Sequence, residues 1–319
     1  MKARKVLAIL LAMIMIVSVF AGCGKKDDKY KIGICQLVQH EALDAATKGF
    51  RDALVEKLGE DKVDFDEQNA SGDSASCTTI VSGFVSDGVD LIMANATAPL
   101  QAAASATSEI PVLGTSVTDY ASALEIDGWT GTVGTNVSGT SDLAPLDQQA
   151  AMIKELFPDA KNVALLYCNA ESNSVYQCTV IEEHLKGFGY TVEWFGFNDT
   201  SDVNSVAEAA CEFADVIYIP TDNTAAANTE AIANVVLPAG IPVIAGEEGI
   251  CKGCGVATLS IDYYDLGYQT GLMAYEILVN GAKVSEMPVA YAPEVTYKYN
   301  ADVCAQLGVT VPDTYVAIG

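Results

Sequence analysis

Short apolar segments followed by polar cap residues recur along this chain. Val216, Ile217 and Ile219 form one such segment, and the sequence Pro-Thr-Asp-Asn at residues 220–223 follows it with residue types that favour turns and helix N-caps. Residues 91–97, upstream, also form an apolar segment that ends in polar residues, and an alanine-rich stretch that favours a helix follows them. In open parallel sheets, ligands bind where strands end in this way. Two such units predict two lobes with a ligand site between facing strand ends.

The rest of the pattern alternates between strands and helices. Apolar spacing of three or four predicts helices over residues 40–58, 73–84, 146–157, 172–187, 203–213, 225–236, 264–279 and 301–307. Apolar runs predict strands at residues 31–37, 63–65, 129–139, 163–167, 191–197 and 295–299, and around Leu91, Val112, Val216 and Val243. This alternation predicts parallel sheets with right-handed crossovers, and therefore an α/β fold of two Rossmann-like lobes.

The C-terminal segment indicates that the chain crosses between the lobes more than once. We expect three crossings, near residues 139–141, 260–262 and 289–293. The predicted domains are residues 30–140 plus 262–290 for lobe 1, and residues 141–261 plus 291–319 for lobe 2.

The first 22 residues predict an export signal rather than part of the fold. Three cations open it, and residues 6–21 are apolar apart from one serine, a stretch shorter than the roughly 20 residues that a membrane span needs. Its end, Phe-Ala-Gly before Cys23, resembles a bacterial lipobox. We therefore expect Cys23 to carry a lipid and residues 23–29 to form a membrane tether. An ordinary signal peptide and an uncleaved anchor are the alternatives, and both place the body of the protein outside the cytoplasm.

Acidic residues far outnumber basic ones. The chain has 42 Asp and Glu against 17 Lys and Arg, which gives a formal net charge of −25. Nucleic acid binding needs clustered Lys and Arg, so this composition argues against such a partner. The excess of acid is most simply a solvated exterior.

The cysteines and histidines do not form a metal-binding pattern. Of nine cysteines, only Cys251 and Cys254 form a close pair, and the two histidines are too few for a histidine-rich site. We interpret the pair as a tight turn, with a disulfide as the alternative. We expect neither a metal nor a cofactor.

Six motifs, in order along the chain, resemble one family. They lie at residues 34–44, 68–70, 117–119, 171–174, 220–224 and 261–267. The family is that of the ABC-transporter substrate-binding lipoproteins whose characterised members take up tryptophan, tyrosine or phenylalanine, and the resemblance runs from about residue 30 to residue 312. It implies the fold of type I periplasmic binding proteins. Tyr120, where the family pattern has proline, and the pair at 247–248, where it has a single aspartate, are departures that bear on the ligand's identity.

The resemblance implies an extracytoplasmic, lipid-anchored component of an importer. Such a protein captures a small ligand, here an aromatic amino acid, and passes it to ABC permease subunits in the membrane. We expect a monomer whose lobes close on the ligand, because contacts from both sides are made together only when the cleft is shut. Two alternatives stay open: a lipid-anchored receptor that senses a ligand, and an importer component for another amino acid or small metabolite.

The motifs of common enzymes are absent from the sequence. It has no Gly-x-Ser-x-Gly elbow and no phosphate loop ending in Gly-Lys-Ser or Gly-Lys-Thr. Paired carboxylates such as Asp119 and Asp222 suit acid–base chemistry, but no nucleophile accompanies them. We therefore do not expect an enzyme.

The carboxylate of a free amino acid favours backbone N–H groups at helix N-termini. Thr97 and Ala98 open one predicted helix in lobe 1, and Ser172 and Asn173 open another in lobe 2. Helix capping is the alternative role for Thr97.

The ammonium favours a carboxylate, for which Asp222, Asp119 and Glu171 are the candidates in that order. Capping is the alternative role for Asp222, and a turn for Asp119. The ring needs an apolar or aromatic wall, for which the candidates are Tyr120, Leu37 and Tyr263. The complete set of candidate ligand-binding residues is Gln39, His40, Thr97, Ala98, Thr118, Asp119, Tyr120, Glu171, Ser172, Asn173, Asp222 and Asn223.

Overall fold

The computed structural model describes residues 29–292 and 294–319. The predicted signal peptide, Cys23 and the tether as far as residue 28 lie outside the described residues. Within the described ranges, no helix is both long enough and apolar enough to cross a membrane.

Strands and helices alternate over most of the described chain. The strands are β1 Tyr30–Gln36, β2 Val63–Asn69, β3 Leu91–Asn95, β4 Val112–Val117, β5 Val137–Ser141, β6 Asn162–Cys168, β7 Thr191–Phe197, β8 Val216–Ile219, β9 Val243–Ala245, β10 Ala257–Ser260, β11 Ala290–Tyr291, β12 Thr296–Tyr299 and β13 Val316–Ala317. The helices are α1 Glu41–Leu58, α2 Ser74–Asp87, α3 Thr97–Ala106, α4 Tyr120–Ala123, α5 Leu146–Leu156, α6 Ser172–Gly187, α7 Val203–Phe213, α8 Asn223–Ala226, α9 Thr229–Ala239, α10 Glu248–Cys254, α11 Tyr263–Leu278 and α12 Ala301–Leu307. Two single-turn 3₁₀ helices lie at Glu60–Lys62 and Val284–Glu286.

Two sheets form the framework. The order β11-β5-β4-β3-β1-β2 defines lobe 1, and the order β13-β12-β10-β9-β8-β6-β7 defines lobe 2. In lobe 1, Ile34 of β1 pairs with Glu67 of β2 on one side and with Met93 of β3 on the other, both in parallel register. β6 lies in the same way between β7 and β8 in lobe 2. The predicted α/β architecture of two Rossmann-like lobes is therefore observed, and each sheet has the reversal of strand order beside which ligands bind.

Two strands, β12 and β13, depart from the expected parallel arrangement, since β13 pairs in parallel with β12. β12 runs antiparallel to β10. β11 belongs to the sheet of lobe 1 and β12 to that of lobe 2, and no helix lies between them in the chain order. A strand that enters a sheet without a crossover helix is free of the geometry that keeps βαβ strands parallel.

Over its described residues, the chain passes between the two sheets three times. β5 ends at Ser141 in lobe 1 before α5 packs in lobe 2, and β10 ends at Ser260 in lobe 2 before α11 packs against α1 of lobe 1. The third passage lies between β11 and β12. These connections form the hinge side of the molecule.

Two predicted elements have a different form. The strand expected at 129–139 is confined to β5, because Gly131 and Gly134 adopt positive φ and interrupt it. The helix expected at 225–236 is divided into α8 and α9 at Asn228, whose side-chain amide donates to the Thr224 carbonyl oxygen at 2.7 Å.

The segment around Cys251 and Cys254 is a helix rather than a tight turn. The Glu247 carboxylate caps α10 by accepting from the N–H groups of Gly249 and Ile250, at 2.7 and 2.5 Å. Both cysteines are buried free thiols, so the alternative of a disulfide is not observed.

Glycines allow α1 and α11 to approach closely in lobe 1. A Cβ atom added to Gly267 would overlap the carbonyl oxygen of Ala46, and one added to Gly49 would overlap the carbonyl oxygen of Tyr264. Gly271 lies in the same way against Ala53. Helix α11 is therefore held against lobe 1 by backbone contact, although it follows a strand of lobe 2.

We predict that Gly267→Ala lowers the free energy of unfolding by about 3 kcal/mol, the upper end of the range for overpacked sites, because backbone atoms must move. The matched control is Gly83→Ala in α2, where an added Cβ meets nothing within 4 Å. This control should gain up to about 1 kcal/mol from helix propensity. Denaturant unfolding of both variants measures the difference, and an equal response of the two would contradict the close helix contact.

Candidate functional site

A cavity of about 200 Å³ lies between the lobes. Lobe 1 lines it with residues that follow β1, β2 and β3, and lobe 2 lines it with residues that follow β6, β7 and β8. It therefore occupies the carboxyl edge of both sheets, where ligands of α/β proteins bind. The residues that line it include Leu37, Val38, Thr97, Ala98, Glu171, Ser172, Asn173, Asp199, Asn223 and Thr224.

Two helix N-termini open onto this cavity from opposite lobes. α3 begins at Thr97 and α6 begins at Ser172, and within the described residues neither helix has a side-chain cap. The first N–H groups of a helix have no intrahelical acceptor, and the helix dipole adds positive potential there. The two termini therefore suit a carboxylate held between the lobes.

The backbone before α3 is strained. Ala96 is fully buried and has φ 99° and ψ 171°, a conformation that glycine favours. Its N–H donates to the Thr115 carbonyl oxygen of β4 at 3.0 Å. The surrounding sheet thus holds a sharp turn that brings Thr97 and Ala98 to the cavity, and strain of this kind concentrates at functional sites.

The Glu171 carboxylate is fixed at the lobe 2 wall. One oxygen, Oε1, accepts from the Thr224 N–H at 2.7 Å and from the Thr224 hydroxyl at 2.8 Å. The other, Oε2, accepts from the Asn223 N–H at 3.0 Å and from the side-chain amides of Asn223 and Asn173 at 2.7 and 3.1 Å. Glu171 precedes α6 but does not cap it, because its side chain serves the start of α8 instead.

Asp222 lies behind this wall rather than in it. Its carboxylate is 1% exposed and accepts from the N–H groups of Cys168 and Ala225, at 2.7 and 2.8 Å, and from the Ser174 hydroxyl at 2.7 Å. Burial, followed by the nearby Glu171 charge, raises the pKa of Asp222 to about 8 against the opposing effect of these donors. Asp222 therefore ties β6, α6 and α8 together and positions the groups that face the cavity.

Several predicted residues lie outside the cavity. Asp119 caps α4 by accepting from the Ser122 N–H at 2.7 Å. Tyr120 is 1% exposed in the core of lobe 1, where its hydroxyl donates to the Thr140 carbonyl oxygen at 3.1 Å. Thr118 is buried and meets Gln177 of lobe 2 at 3.4 Å. Among the described residues no aromatic side chain lines the cavity, so its apolar wall consists of side chains such as Leu37, Val38 and Ala98.

Gln39 and His40 border the cleft without lining this cavity. Gln39 is exposed beside a separate polar groove, and His40 reaches across to Asn223.

The sequence analysis missed residues 198–200, which follow β7 and line the cavity with an amide, a carboxylate and a hydroxyl. The strand-end rule applied to β7 would have found them. No group of three His, Cys, Asp or Glu side chains in the described part of the chain is placed to hold a metal ion.

A buried carboxylate lies at the hinge. Asp142 follows β5, and the hydroxyl of Tyr263, the first residue of α11, donates to its Oδ2 atom at 3.0 Å. Burial raises the pKa of Asp142 to about 6, against the opposing effect of the Tyr263 hydroxyl. Tyr263 thus packs between two of the chain crossings, not against the cavity.

Comparison with known proteins assigns this architecture. The family described as ABC transporter substrate binding protein matches residues 31–318. The tyrosine-binding protein of Clostridioides difficile (strain R20291) is 37% identical over an alignment of 319 positions that covers 94% of this chain and 91% of that relative. These matches agree with the six motifs.

Two solved structures extend the comparison. The ABC domain in complex with L-Trp from Streptococcus pneumonia has a TM-score of 0.86 at 31% identity, covering 91% of this chain and 100% of that one. The ligand-free, open structure of a substrate-binding protein with adhesive properties from Clostridium difficile has a TM-score of 0.69 at 37% identity, covering 91% and 99%. The predicted type I periplasmic binding protein fold is confirmed, and the shape agrees better with the L-Trp complex although the identity is lower.

We predict a pH dependence that arises from Asp142. Because its folded pKa is raised from 3.8 to about 6, the folded state keeps a proton in that window that the unfolded chain releases. Stability from this group is full below pH 4 and falls as the pH rises towards 6. Asp142→Asn removes the titration, so its stability relative to the parent should rise by up to about 3 kcal/mol between pH 4 and pH 7.

Urea unfolding at several pH values measures this difference. Asp64→Asn, an exposed carboxylate in β2, controls for the change in net charge and should show no comparable trend. A stability difference for Asp142→Asn that stays constant with pH would show that burial does not perturb this carboxyl.

Proposed function

Because this chain belongs to the ABC transporter substrate-binding protein family, we propose that it captures an aromatic amino acid, L-tyrosine or L-tryptophan, between its two lobes. Substrate-binding proteins of this family work outside the cytoplasm. The observation that carries the proposal is the placement of two uncapped helix N-termini and one fixed carboxylate around a single interlobe cavity. The relatives support the ligand class, since one is a tyrosine-binding protein and another is a complex with L-Trp.

The ligand's carboxylate binds between α3 and α6. Thr97 and Ala98 supply N–H groups and a hydroxyl from lobe 1, and Ser172 and Asn173 supply the same from lobe 2. No Lys or Arg lines the cavity in the described residues, so backbone donors carry this task. A ligand bound in this way contacts both lobes at once.

The ligand's ammonium binds at Glu171. Its Oε1 atom accepts two hydrogen bonds and its Oε2 atom accepts three, so the ammonium approaches the less crowded Oε1 atom. Asp222, the first choice from sequence, is enclosed behind Glu171 and acts as a positioning residue. Asp199 is the second carboxylate at the cavity. The ring packs on the apolar wall of Leu37, Val38 and Ala98.

Capture requires closure and no bond-making chemistry. The better shape agreement with the L-Trp complex than with the open structure supports a closed arrangement of the lobes here. Binding shifts the open–closed equilibrium, and the closed form is what ABC permease subunits in the membrane recognise. In this proposal the chain is a monomer, is held at the membrane through Cys23, and is not an enzyme.

We predict that the purified protein binds L-tyrosine, L-tryptophan or L-phenylalanine in calorimetry, and that Glu171→Gln weakens binding about 10- to 100-fold. This range corresponds to the loss of one charge-assisted hydrogen bond, about 1.5–3 kcal/mol. Glu183→Gln, an exposed position on the same helix α6, is the matched control and should bind like the parent.

Two ligand analogues separate the subsites. 3-(4-Hydroxyphenyl)propionate lacks the ammonium, so Glu171→Gln should cost it little, whereas tyramine lacks the carboxylate and should keep the full Glu171 effect. If the parent binds none of the three amino acids, the proposed ligand class is wrong. If Glu171→Gln weakens the ammonium-free analogue as much as tyrosine, Glu171 does not bind the ammonium.

A further inference from the structure

One hydrogen bond crosses the cleft between side chains of the two lobes next to the cavity. His40 Nε2 of lobe 1 lies 3.2 Å from Asn223 Oδ1 of lobe 2. His40 immediately precedes α1 in extended conformation, with φ −159° and ψ 166°, and its side chain makes no hydrogen bond to its own helix. The imidazole ring is therefore available for a hydrogen bond to lobe 2.

The direction of this hydrogen bond is fixed from the lobe 2 side. The Asn223 side-chain amide donates to Glu171 Oε2 at 2.7 Å, and the Asn223 backbone N–H donates to the same atom at 3.0 Å. The Asn223 Oδ1 atom must then be the end that faces His40, and it can only accept. His40 Nε2 consequently carries the proton, and loss of solvent around the ring lowers the pKa of His40, which favours this neutral tautomer.

The result is a series of two hydrogen bonds, both donated in the same direction, from lobe 1 to the candidate ammonium site in lobe 2. His40 donates to Asn223, and Asn223 donates to Glu171. Hydrogen bonds arranged in series polarise one another in a site of low dielectric. Asn223 is 8% exposed, so solvent is poorly placed to substitute for His40 when the cleft is shut.

We propose that His40 is a latch and positioning residue: by donating to Asn223 only when the lobes close, it orients the Asn223 amide and, through it, the Glu171 carboxylate for the ligand's ammonium. This role rests on the proposed function and differs from the ligand contact expected for His40 from sequence. His40 does not line the cavity, whereas Asn223 and Glu171 do.

A second contact between the lobes provides a matched control. Lys252 Nζ of α10 lies 2.9 Å from Glu41 Oε1 of α1, next to His40 in the chain. This ion pair is exposed, and neither partner lines the cavity or contacts Glu171. Loss of this pair therefore affects closure alone, whereas loss of the His40 hydrogen bond affects closure and the orientation of Glu171.

The test combines affinity with dissociation kinetics. His40→Ala should weaken binding of the amino acid about three- to tenfold, mainly through faster dissociation, because the latch must break before the ligand can leave. The melting temperature of the ligand-free protein should stay unchanged, which separates a latch from a merely structural histidine. His40→Gln, which supplies an amide N–H donor in place of the imidazole N–H, should recover part of the lost affinity, while Lys252→Ala should change it less than twofold.

A double-mutant cycle tests the link to Glu171. If His40 acts through Glu171, the combined loss in His40→Ala with Glu171→Gln is smaller than the product of the two single losses. For Lys252→Ala with Glu171→Gln, the combined loss of affinity should equal the product of the two single losses. The proposal would be overturned if the combined loss in His40→Ala with Glu171→Gln equals the product of the single losses, or if His40→Ala binds like the parent.

Failure of the proposed function is distinguishable from failure of the latch. If the parent protein binds none of the aromatic amino acids, the ligand class fails, and the latch is then judged on the ligand-free protein by small-angle X-ray scattering. His40→Ala should have a larger radius of gyration than the parent, and Lys252→Ala, which loses only an exposed ion pair, should show a smaller increase. Equal radii for the parent and His40→Ala would overturn the latch.

Discussion

The base of the cleft depends on two carboxylates that are buried side by side at the start of α8. Glu171 takes the N–H groups of Asn223 and Thr224, and Asp222 takes that of Ala225. Neighbouring buried anions are costly unless donors surround them, and the raised pKa of Asp222 reflects that cost. The side chains and backbone of β6, α6 and α8 supply those donors, so three elements are fixed relative to one another by a single pair of acids.

Helix N-termini thus have two opposite uses in this molecule. The N-terminus of α8 is saturated by the protein's own carboxylates, whereas those of α3 and α6 lack side-chain caps and face the cavity. A zwitterion therefore meets an anionic group and a donor-rich region within one small space. In the proposed site, a chain with a formal net charge of −25 thus binds a carboxylate through backbone donors rather than Lys or Arg.

Sequence reasoning placed strands, helices and the edge of the sheet that carries the site. α6, α7 and α12 have the predicted bounds, because apolar spacing and clear end signals coincide there. The roles of Asp222 and Glu171 could not be separated, since both follow buried strands and only the fold shows which one is enclosed. The position of Tyr120 could not be predicted from the sequence pattern either, because an aromatic residue after a strand suits a cleft wall or a core. In the structure, Gly114 and Gly139 leave the space that the Tyr120 hydroxyl occupies in the core.

Closure relies on contacts that are individually weak. The Lys252–Glu41 pair is exposed to solvent, and such pairs contribute about 0–1 kcal/mol. Gln177 meets Thr118 at the long distance of 3.4 Å, and His40 makes one neutral hydrogen bond to Asn223, worth about 1 kcal/mol. Their sum is small against the roughly 5.5 kcal/mol that drives a two-state equilibrium from one side to the other. The larger share of the closing free energy must therefore come from the ligand. In the proposed site this ligand bonds to α3 and α6 together, and its removal by the proposed permease partner would let the lobes reopen.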